Sequence, residues 1–305
     1  MTESAEQLLE QIRPASFAVA YRMLGSVSEA EDVVQEALVR VLTALREGVV
    51  IESPRAYAVT VTTRLAIDEL RSARARRESY VGEWLPEPLL EDPAADPAGQ
   101  AEMADSLSLA LLVLLESLSP EQRAVLLLHD VFDYGYQEIA AIVDKREDNV
   151  RQLATRARRH VEQGRPRFDT SRQQRQALAE RFLSAAREGD LEGLEEMLTG
   201  DVVLHGDGGG KVPALAQSLR GRRRVAHTLV VWVRQLQRIA HGELQQVQVN
   251  GQPGARLLDG EGRLIAVWAL DIADGRIQSV RSIVNPDKLR HLGPLTDLYA
   301  RLGLA

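Results

Sequence analysis

The chain contains no cysteine, which excludes disulfides, thiolate metal sites and a cysteine nucleophile and agrees with a reducing compartment. It has no uninterrupted apolar run approaching the ~18 residues of a membrane span. Its acidic, polar first residues lack the basic flank and apolar core of a secretory signal. The expectation is a cytoplasmic protein with no membrane partner. Basic charge is not in excess either. A formal net charge of −7 argues against non-specific coating of nucleic acid while leaving local binding open. The six histidines show no metal-ligand spacing, so neither a metal nor a cofactor is expected.

What the chain does have is length and segregated charge. Its 305 residues, 45% hydrophobic and 27% charged, suffice for two or three globular domains. Basic residues gather at 64–77 and 145–167, and acids at 29–36, 83–96 and 188–196. Residues 136–161 read as a helix-turn-helix. Ile139, Ala140 and Val143 give a short apolar face, residues 144–146 a polar turn, and Val150, Leu153, Ala154, Ala157 and Val161 a second face at helical spacing. Opposite that face, Arg151, Gln152, Thr155, Arg158 and Arg159 can point outward toward base edges and phosphates. An ordinary helical hairpin with a basic face fits this stretch alone as well.

Upstream, residues 7–45 read as helices. Ser28 with Glu31 reads as a capping box, and the helix after it leaves Glu31, Asp32, Gln35 and Glu36 outside. Pro54 opens a further helix at a tolerated position, with Thr60, Thr62 and Thr63 followed by Arg71, Arg74, Arg76 and Arg77. Four arginines there exceed what complementing a helix dipole requires and suit a nucleic-acid backbone. Pro86, Pro88, Pro93 and Pro97 mark a linker, within which Trp84-Leu85-Pro86-Glu87-Pro88 places bulky apolar groups that need a docking site. Helical patterning returns at 107–118 and 121–132. After residue 166 come two helical stretches, an extended run from Val202, a sharp Asp207-Gly208-Gly209-Gly210-Lys211 loop and a helix from Arg222. Strands at 243–249, 255–258, 264–272 and 277–284 follow, separated by Asn250-Gly251, Asp259-Gly260 and Asp274-Gly275. This order is that of an α+β domain. The glycine loop lacks the spacing of a nucleotide phosphate loop.

Taken together, residues 1–165 resemble the extracytoplasmic-function sigma factors of bacterial RNA polymerase. The resemblance rests on the acidic Glu31-Asp32-Val33-Val34-Gln35-Glu36 helix, the Leu65-Ala66-Ile67-Asp68-Glu69-Leu70-Arg71 segment, the linker and the helix-turn-helix, in that order. The whole chain is similar to the sigma-J-like branch, through the Trp84-Leu85-Pro86-Glu87-Pro88, Asp207-Gly208-Gly209-Gly210-Lys211 and Asn285-Pro286-Asp287-Lys288-Leu289 motifs. The implied fold is multidomain, with two all-α sigma domains followed by an α+β, cone-shaped SnoaL/NTF2-like domain. Expected boundaries are 1–78 for region 2, 79–104 for the linker, 105–166 for region 4, 172–293 for the SnoaL-like domain and 294–305 for a tail.

The implied function is promoter-specific initiation with core RNA polymerase, tuned by the C-terminal domain. Asp32, Gln35 and Glu36 would meet the β′ clamp, and the β flap would be a second polymerase contact. Thr60, Thr63, Arg64, Arg71 and Arg74 would meet the −10 element of promoter DNA. Arg151, Gln152, Thr155, Arg156 and Arg159 would meet the −35 element. Trp84, Pro86, Asp207, Gly208, Gly209, Gly210, Lys211, Asn285, Pro286 and Asp287 would form the regulatory contact between domains. An unidentified small molecule in the C-terminal domain is a further candidate partner. In the family the helix-turn-helix turn often holds glycine followed by a serine cap; here Asp144 and Arg146 stand there, and only aspartate suits a left-handed turn. Two rival readings are a conventional helix-turn-helix transcription factor and a SnoaL-like cyclase or isomerase with a DNA-binding appendage. The second would draw its acid and base from His205, Asp207, His227 and Asp271.

Overall fold

The computed structural model describes residues 5–91, 107–164 and 171–302. The chain divides into two compact units, Met1–Ser79 with Leu112–Arg165, and Tyr80–Leu111 with Pro166–Ala305.

The first unit is helical. Helices α1 (Ala5–Leu24), α2 (Val27–Arg46) and α3 (Pro54–Glu78) pack on one another. Their apolar stripes supply a core in which Ile12, Val41 and Ala58 meet. The cap of α2 differs from the sequence expectation. Gly25 already closes α1 by donating to the Tyr21 carbonyl (2.8 Å), so the first serine free to cap is Ser26, which accepts from the Glu29 N–H (3.2 Å). Ser28 lies inside the helix and forms no capping box with Glu31. A short helix, α4 (Leu109–Leu115), precedes α5 (Pro120–Asp130), whose start is closed by a reciprocal Ser119–Gln122 capping box. Then come α6 (Tyr136–Ile142) and α7 (Glu147–Gly164), the two arms of the helix-turn-helix. Asp144 takes the left-handed conformation in the turn, at φ +52°, as its side chain allows.

The second unit holds α8 (Arg172–Glu188), α9 (Leu191–Met197), α10 (Arg222–Ala240), the terminal α11 (Leu298–Leu302) and a six-stranded sheet. The strands are β1 (Leu198–Asp207), β2 (Leu219–Arg220), β3 (Glu243–Val249), β4 (Gln252–Leu258), β5 (Leu264–Ala273) and β6 (Arg276–Ile283), in the order β2-β1-β6-β5-β4-β3. All neighbours are antiparallel except β1 and β6. With side chains alternating between faces, Leu204, Ala255, Trp268 and Val280 join Phe182, Leu183, Leu229 and Val233 in the core beneath the helices. The opposite face is also covered. Every position of β5 is buried, and Val267, Ala269 and Ile283 lie outside the helix-side core yet are almost fully enclosed. Linker residues 80–91, which belong to this unit, lie across that face as a strap, with Leu85 fully buried.

Gly254 marks how tightly β4 and β5 are joined: a Cβ there would stand 2.2 Å from the Trp268 carbonyl oxygen and 2.6 Å from Val249 Cγ2. Gly254→Ala is therefore expected to cost about 1–3 kcal/mol or more through overpacking against backbone. Urea unfolding followed by tryptophan fluorescence should show a lower midpoint with an unchanged slope. Wild-type stability would contradict this strand register.

Candidate functional site

In the helical unit the spacing that sends Val33, Val34 and Ala37 inward leaves Asp32, Gln35 and Glu36 exposed side by side on α2. Glu36 is paired with Arg40 one turn on (2.8 Å). On α7, Val150, Ala154 and Ala157 are fully buried, and the opposite face carries Arg151, Gln152, Thr155, Arg156 and Arg159. These five line one shallow groove of about 340 Å³. Arg158 does not belong to that face. It grips Asp130 and donates to the Tyr136 hydroxyl (3.1 Å), tying α7 to α5 and α6. The hydrogen bond to Asp130 raises its already high pKa. Arg146 stays exposed at the start of α7, near Asp148 (3.9 Å).

The α3 residues divide. Thr63 is fully buried and is withdrawn from the DNA-facing set, because its position on α3 faces the core. Thr60 is half-buried and returns its hydroxyl to the Ala56 carbonyl (2.9 Å). The side chain of Arg74 lies outside the described residues. Arg64 donates to the Ile142 carbonyl (2.9 Å) and the Ala141 carbonyl (2.9 Å), the negative end of α6. Arg71 bridges Asp68 (3.0 Å) and Glu121 (2.7 Å). Deeper in, Glu116 is clamped between Arg77 and the buried Arg123, and Arg77 also donates to the Leu24 carbonyl (2.7 Å). Two of the arginines expected at the −10 element thus hold the helix-turn-helix half against α3.

The second unit contains a buried polar clasp. Asp207, at the end of β1, has no exposed surface. Its Oδ1 accepts from the Tyr80 hydroxyl (2.5 Å), and its Oδ2 accepts from the Leu85 N–H (2.8 Å) and from Lys288 Nζ (2.6 Å). Lys288 also donates to the Leu85 carbonyl and sits 4.2 Å from the centre of the Trp84 ring and 4.9 Å from that of Tyr80, a cation–π arrangement. Asn285 donates to the Tyr80 oxygen (2.8 Å). Gly209 has to be glycine: φ is +59°, and a Cβ would fall 2.3 Å from Asn285 Nδ2 and 2.9 Å from the Tyr80 oxygen. Val81 packs against Gly210, and Lys211 pairs with Asp287 across the two motifs. Burial first, and then the Asp207 hydrogen bond, push the Tyr80 phenol above its ordinary value. Farther along the strap, Glu83 meets His205 Nδ1 (2.6 Å), buried Pro86 and Glu87 follow, and His291 contacts the Pro88 carbonyl (2.8 Å).

Asn250, in the β3–β4 turn, holds the linker at two separated points. Its N–H donates to the Leu89 carbonyl (2.8 Å), its Oδ1 accepts from the Leu89 N–H (2.9 Å), and its Nδ2 donates to the Leu107 carbonyl (3.0 Å). Leu90 bridges to Val249, extending the sheet edge. In sequence Asn250 signals only a hairpin turn, and nothing local marks it as a linker anchor. Lys288 lies inside the Asn285-Pro286-Asp287-Lys288-Leu289 motif with nothing local to mark its role, and Tyr80 carries no signal.

Three of the four acid–base candidates are held by structural partners. His205 is held by Glu83, Asp207 by the clasp, and Asp271 by Arg281 and Ser279, while His227 is exposed on α10. Burial pulls the Arg281 guanidinium down to about 10. None of the four lines the apolar cavity of about 210 Å³ between α10 and the sheet, whose walls include Trp232, Leu236, Ile239, Trp268, Ser282 and Leu298. No group of three or more acidic or histidine side chains among the described residues could hold a metal, and no helix among them is long and apolar enough to cross a membrane.

Comparison with known proteins agrees with this layout. Residues 8–76 match the family model for sigma-70 region 2, and residues 108–161 match that for sigma-70 region 4. The chain is 36% identical over 289 residues to the ECF RNA polymerase sigma factor SigJ of Mycobacterium tuberculosis, covering 92% of this chain and 91% of that one. It is 33% identical over 276 residues to the probable ECF sigma factor SigI of the same species, covering 89% and 90%. The crystal structure of the M. tuberculosis extracytoplasmic function sigma factor SigJ superimposes with a TM-score of 0.75 at 33% identity, over 94% of this chain and 98% of that one.

Removing one member of the clasp leaves the other charge buried. Asp207→Asn or Lys288→Met is expected to cost about 3–5 kcal/mol in urea unfolding, and the double variant less than the sum. Limited proteolysis should cut the strap in either single variant. An additive double variant would mean that the two groups act independently. The pH dependence follows from Tyr80. Because its folded pKa is raised, its contribution is complete below the unfolded value of ~10 and is lost as pH rises beyond it. An ultraviolet titration should find a late-ionising tyrosine that disappears in Tyr80→Phe.

Proposed function

The chain belongs to the extracytoplasmic-function RNA polymerase sigma factors of the sigma-70 family, and we propose that its helical halves must part before it can read a promoter. Its relatives are sigma factors rather than enzymes, and His205, Asp207 and Asp271 are each tied up in structural pairs. Core RNA polymerase and promoter DNA are its partners, and the cytoplasm is where it acts. Within that assignment, Asp32, Gln35 and Glu36 meet the β′ clamp, and region 4 meets the β flap. Thr60, Arg64 and Arg71, with Arg74, engage the −10 element, and the α7 groove engages the −35 element.

The observation that carries the reading is the hydrogen bonding of Arg64 to the end of α6. The two promoter elements lie roughly 25 base pairs apart, ~85 Å of duplex. Two readers in direct contact cannot serve both. Arg64 and Arg71 reach DNA only after releasing Ile142 and Glu121, so the closed unit is a resting form. The C-terminal domain modulates activity through the strap, since the Asp207 clasp grips the linker that joins regions 2 and 4. The apolar cavity beside α10 supports a small uncharged ligand as a further effector, because no unpaired charge is available there to receive an ion.

The sigma assignment is tested by adding purified chain to core polymerase. Transcription should start from promoters that core alone ignores, and Asp32→Ala with Glu36→Ala should lose in competition against another sigma factor for core. Glu121→Gln tests the resting form, since Glu121 lies outside the proposed DNA contacts. An exposed pair contributes ~0.2–1 kcal/mol, so this variant should raise initiation roughly 1.5–5-fold at limiting concentrations. Unchanged or lower initiation would remove the Arg71–Glu121 pair from the resting form.

A further inference from the structure

The tether between the two helical halves, counted from residue 80 to residue 111 where the chain rejoins the helical unit, is held at two separated points by one side chain. Leu89 is held by both the backbone and the Oδ1 of Asn250, and Leu107 by its Nδ2. Asn250 is 1% exposed, in the left-handed conformation at φ +52°. An amide is the side chain this position needs, because it must accept from one strand of the linker and donate to the other. A carboxylate could not donate to Leu107, and a hydroxyl is too short to span both. The consequence is mechanical: with Leu89 and Leu107 held at one side chain, the chain length between them adds nothing to the distance the linker can bridge.

We propose that Asn250 is a positioning residue that sets the reach between the two promoter readers. Extended chain advances ~3.3–3.6 Å per residue and helix ~1.5 Å. With residues 109–111 already helical, the full linker spans ~100 Å. Pinched at Asn250, only residues 80–89 and 107–111 count, and the reach falls to ~45 Å. The elements stand ~85 Å apart along the duplex. Subtracting ~15 Å for the radius of each helical domain still leaves ~55 Å to bridge. The pinched linker is too short even at full stretch, and the released linker is long enough. Opening three hydrogen bonds at one buried asparagine therefore converts a chain that can occupy one promoter element into one that can occupy both. The Asp207 clasp fixes where the strap lies, whereas Asn250 fixes how much linker is usable.

The inference rests on the sigma factor reading, and its test keeps the two separable. The chain has no cysteine, so Leu89→Cys with Leu107→Cys provides a unique pair that a short bismaleimide can join. In the protein alone, the pair should cross-link in high yield and several-fold less well once Asn250→Gly is added. Glycine accepts the positive φ and keeps the turn while removing both side-chain bonds. With core polymerase, the joined chain should still compete for core through region 2 but initiate at least 10-fold less than the unjoined double-cysteine chain. Asn250→Gly alone should initiate more than wild type. A flexible insertion of about ten residues after Ser79, which lengthens the linker outside the pinch, should do the same, and combining the two should add little. Equal initiation by joined and unjoined chains would overturn the proposal, as would poor cross-linking with Asn250 intact. A joined pair that forms normally in a chain that never initiates, joined or not, would instead count against the sigma reading and leave the pinch standing.

Discussion

A carboxylate with no exposed surface imposes conditions on everything around it. Taking Asp207 out of water costs several kcal/mol unless a cation and further donors replace the lost hydration. The C-terminal domain provides Lys288 as the cation, but it does not complete the shell: the remaining donors, the Tyr80 hydroxyl and the Leu85 N–H, come from the linker. Without the strap, the Asp207–Lys288 pair would lose its remaining protein partners and have to be solvated on an uncovered sheet face. The domain is therefore finished by a piece of chain that precedes region 4 in sequence. Binding of this kind is selective, because a half-satisfied polar network is worse than none. It is also reversible in principle, since the strap can leave only by exposing Asp207 to water, which solvates it.

The helical unit uses its arginines in an equivalent double role. Guanidinium groups suited to phosphates are equally suited to helix C-termini and carboxylates, and α3 spends Arg64 on the carbonyls ending α6 and Arg71 on Glu121. These contacts are exposed and individually weak, whereas the Arg77–Glu116–Arg123 cluster beneath them is largely enclosed. The gradient from weak rim to buried cluster fits an arrangement that opens from its exposed rim.

Much of this was legible in the sequence, for physical reasons that differ from element to element. The strands and helices announced themselves through period and turn chemistry, and Asp144 adopts the left-handed turn its side chain permits. The α7 groove was readable because a helix with an alanine and valine face has only one other face to offer, and the five polar residues on it line one surface. Thr63 was misplaced because a threonine run on a helix with little amphipathic contrast does not declare which members face inward. Ser28 was misplaced by a single residue because two serines flank one boundary. Tyr80, Lys288 and Asn250 went unrecognised for a deeper reason: each acts through partners between 81 and 205 residues away, and long-range pairing leaves no local periodicity to read.

The distance between those partners is also what makes the arrangement regulatory rather than merely stabilising. A strap that only covered a sheet could be any apolar segment. This one is drawn from the tether between two DNA-reading halves, so each contact that stabilises the C-terminal domain also withdraws length from that tether. Stability of the domain and freedom of the halves are then opposed by construction, and whatever weakens strap docking lengthens the tether by the same event. Linkage requires the converse as well: holding the halves apart on polymerase and promoter pulls on the linker and weakens its hold on Asp207 and Asn250. The same residues that keep the free chain closed would in this way register that the chain has found its template.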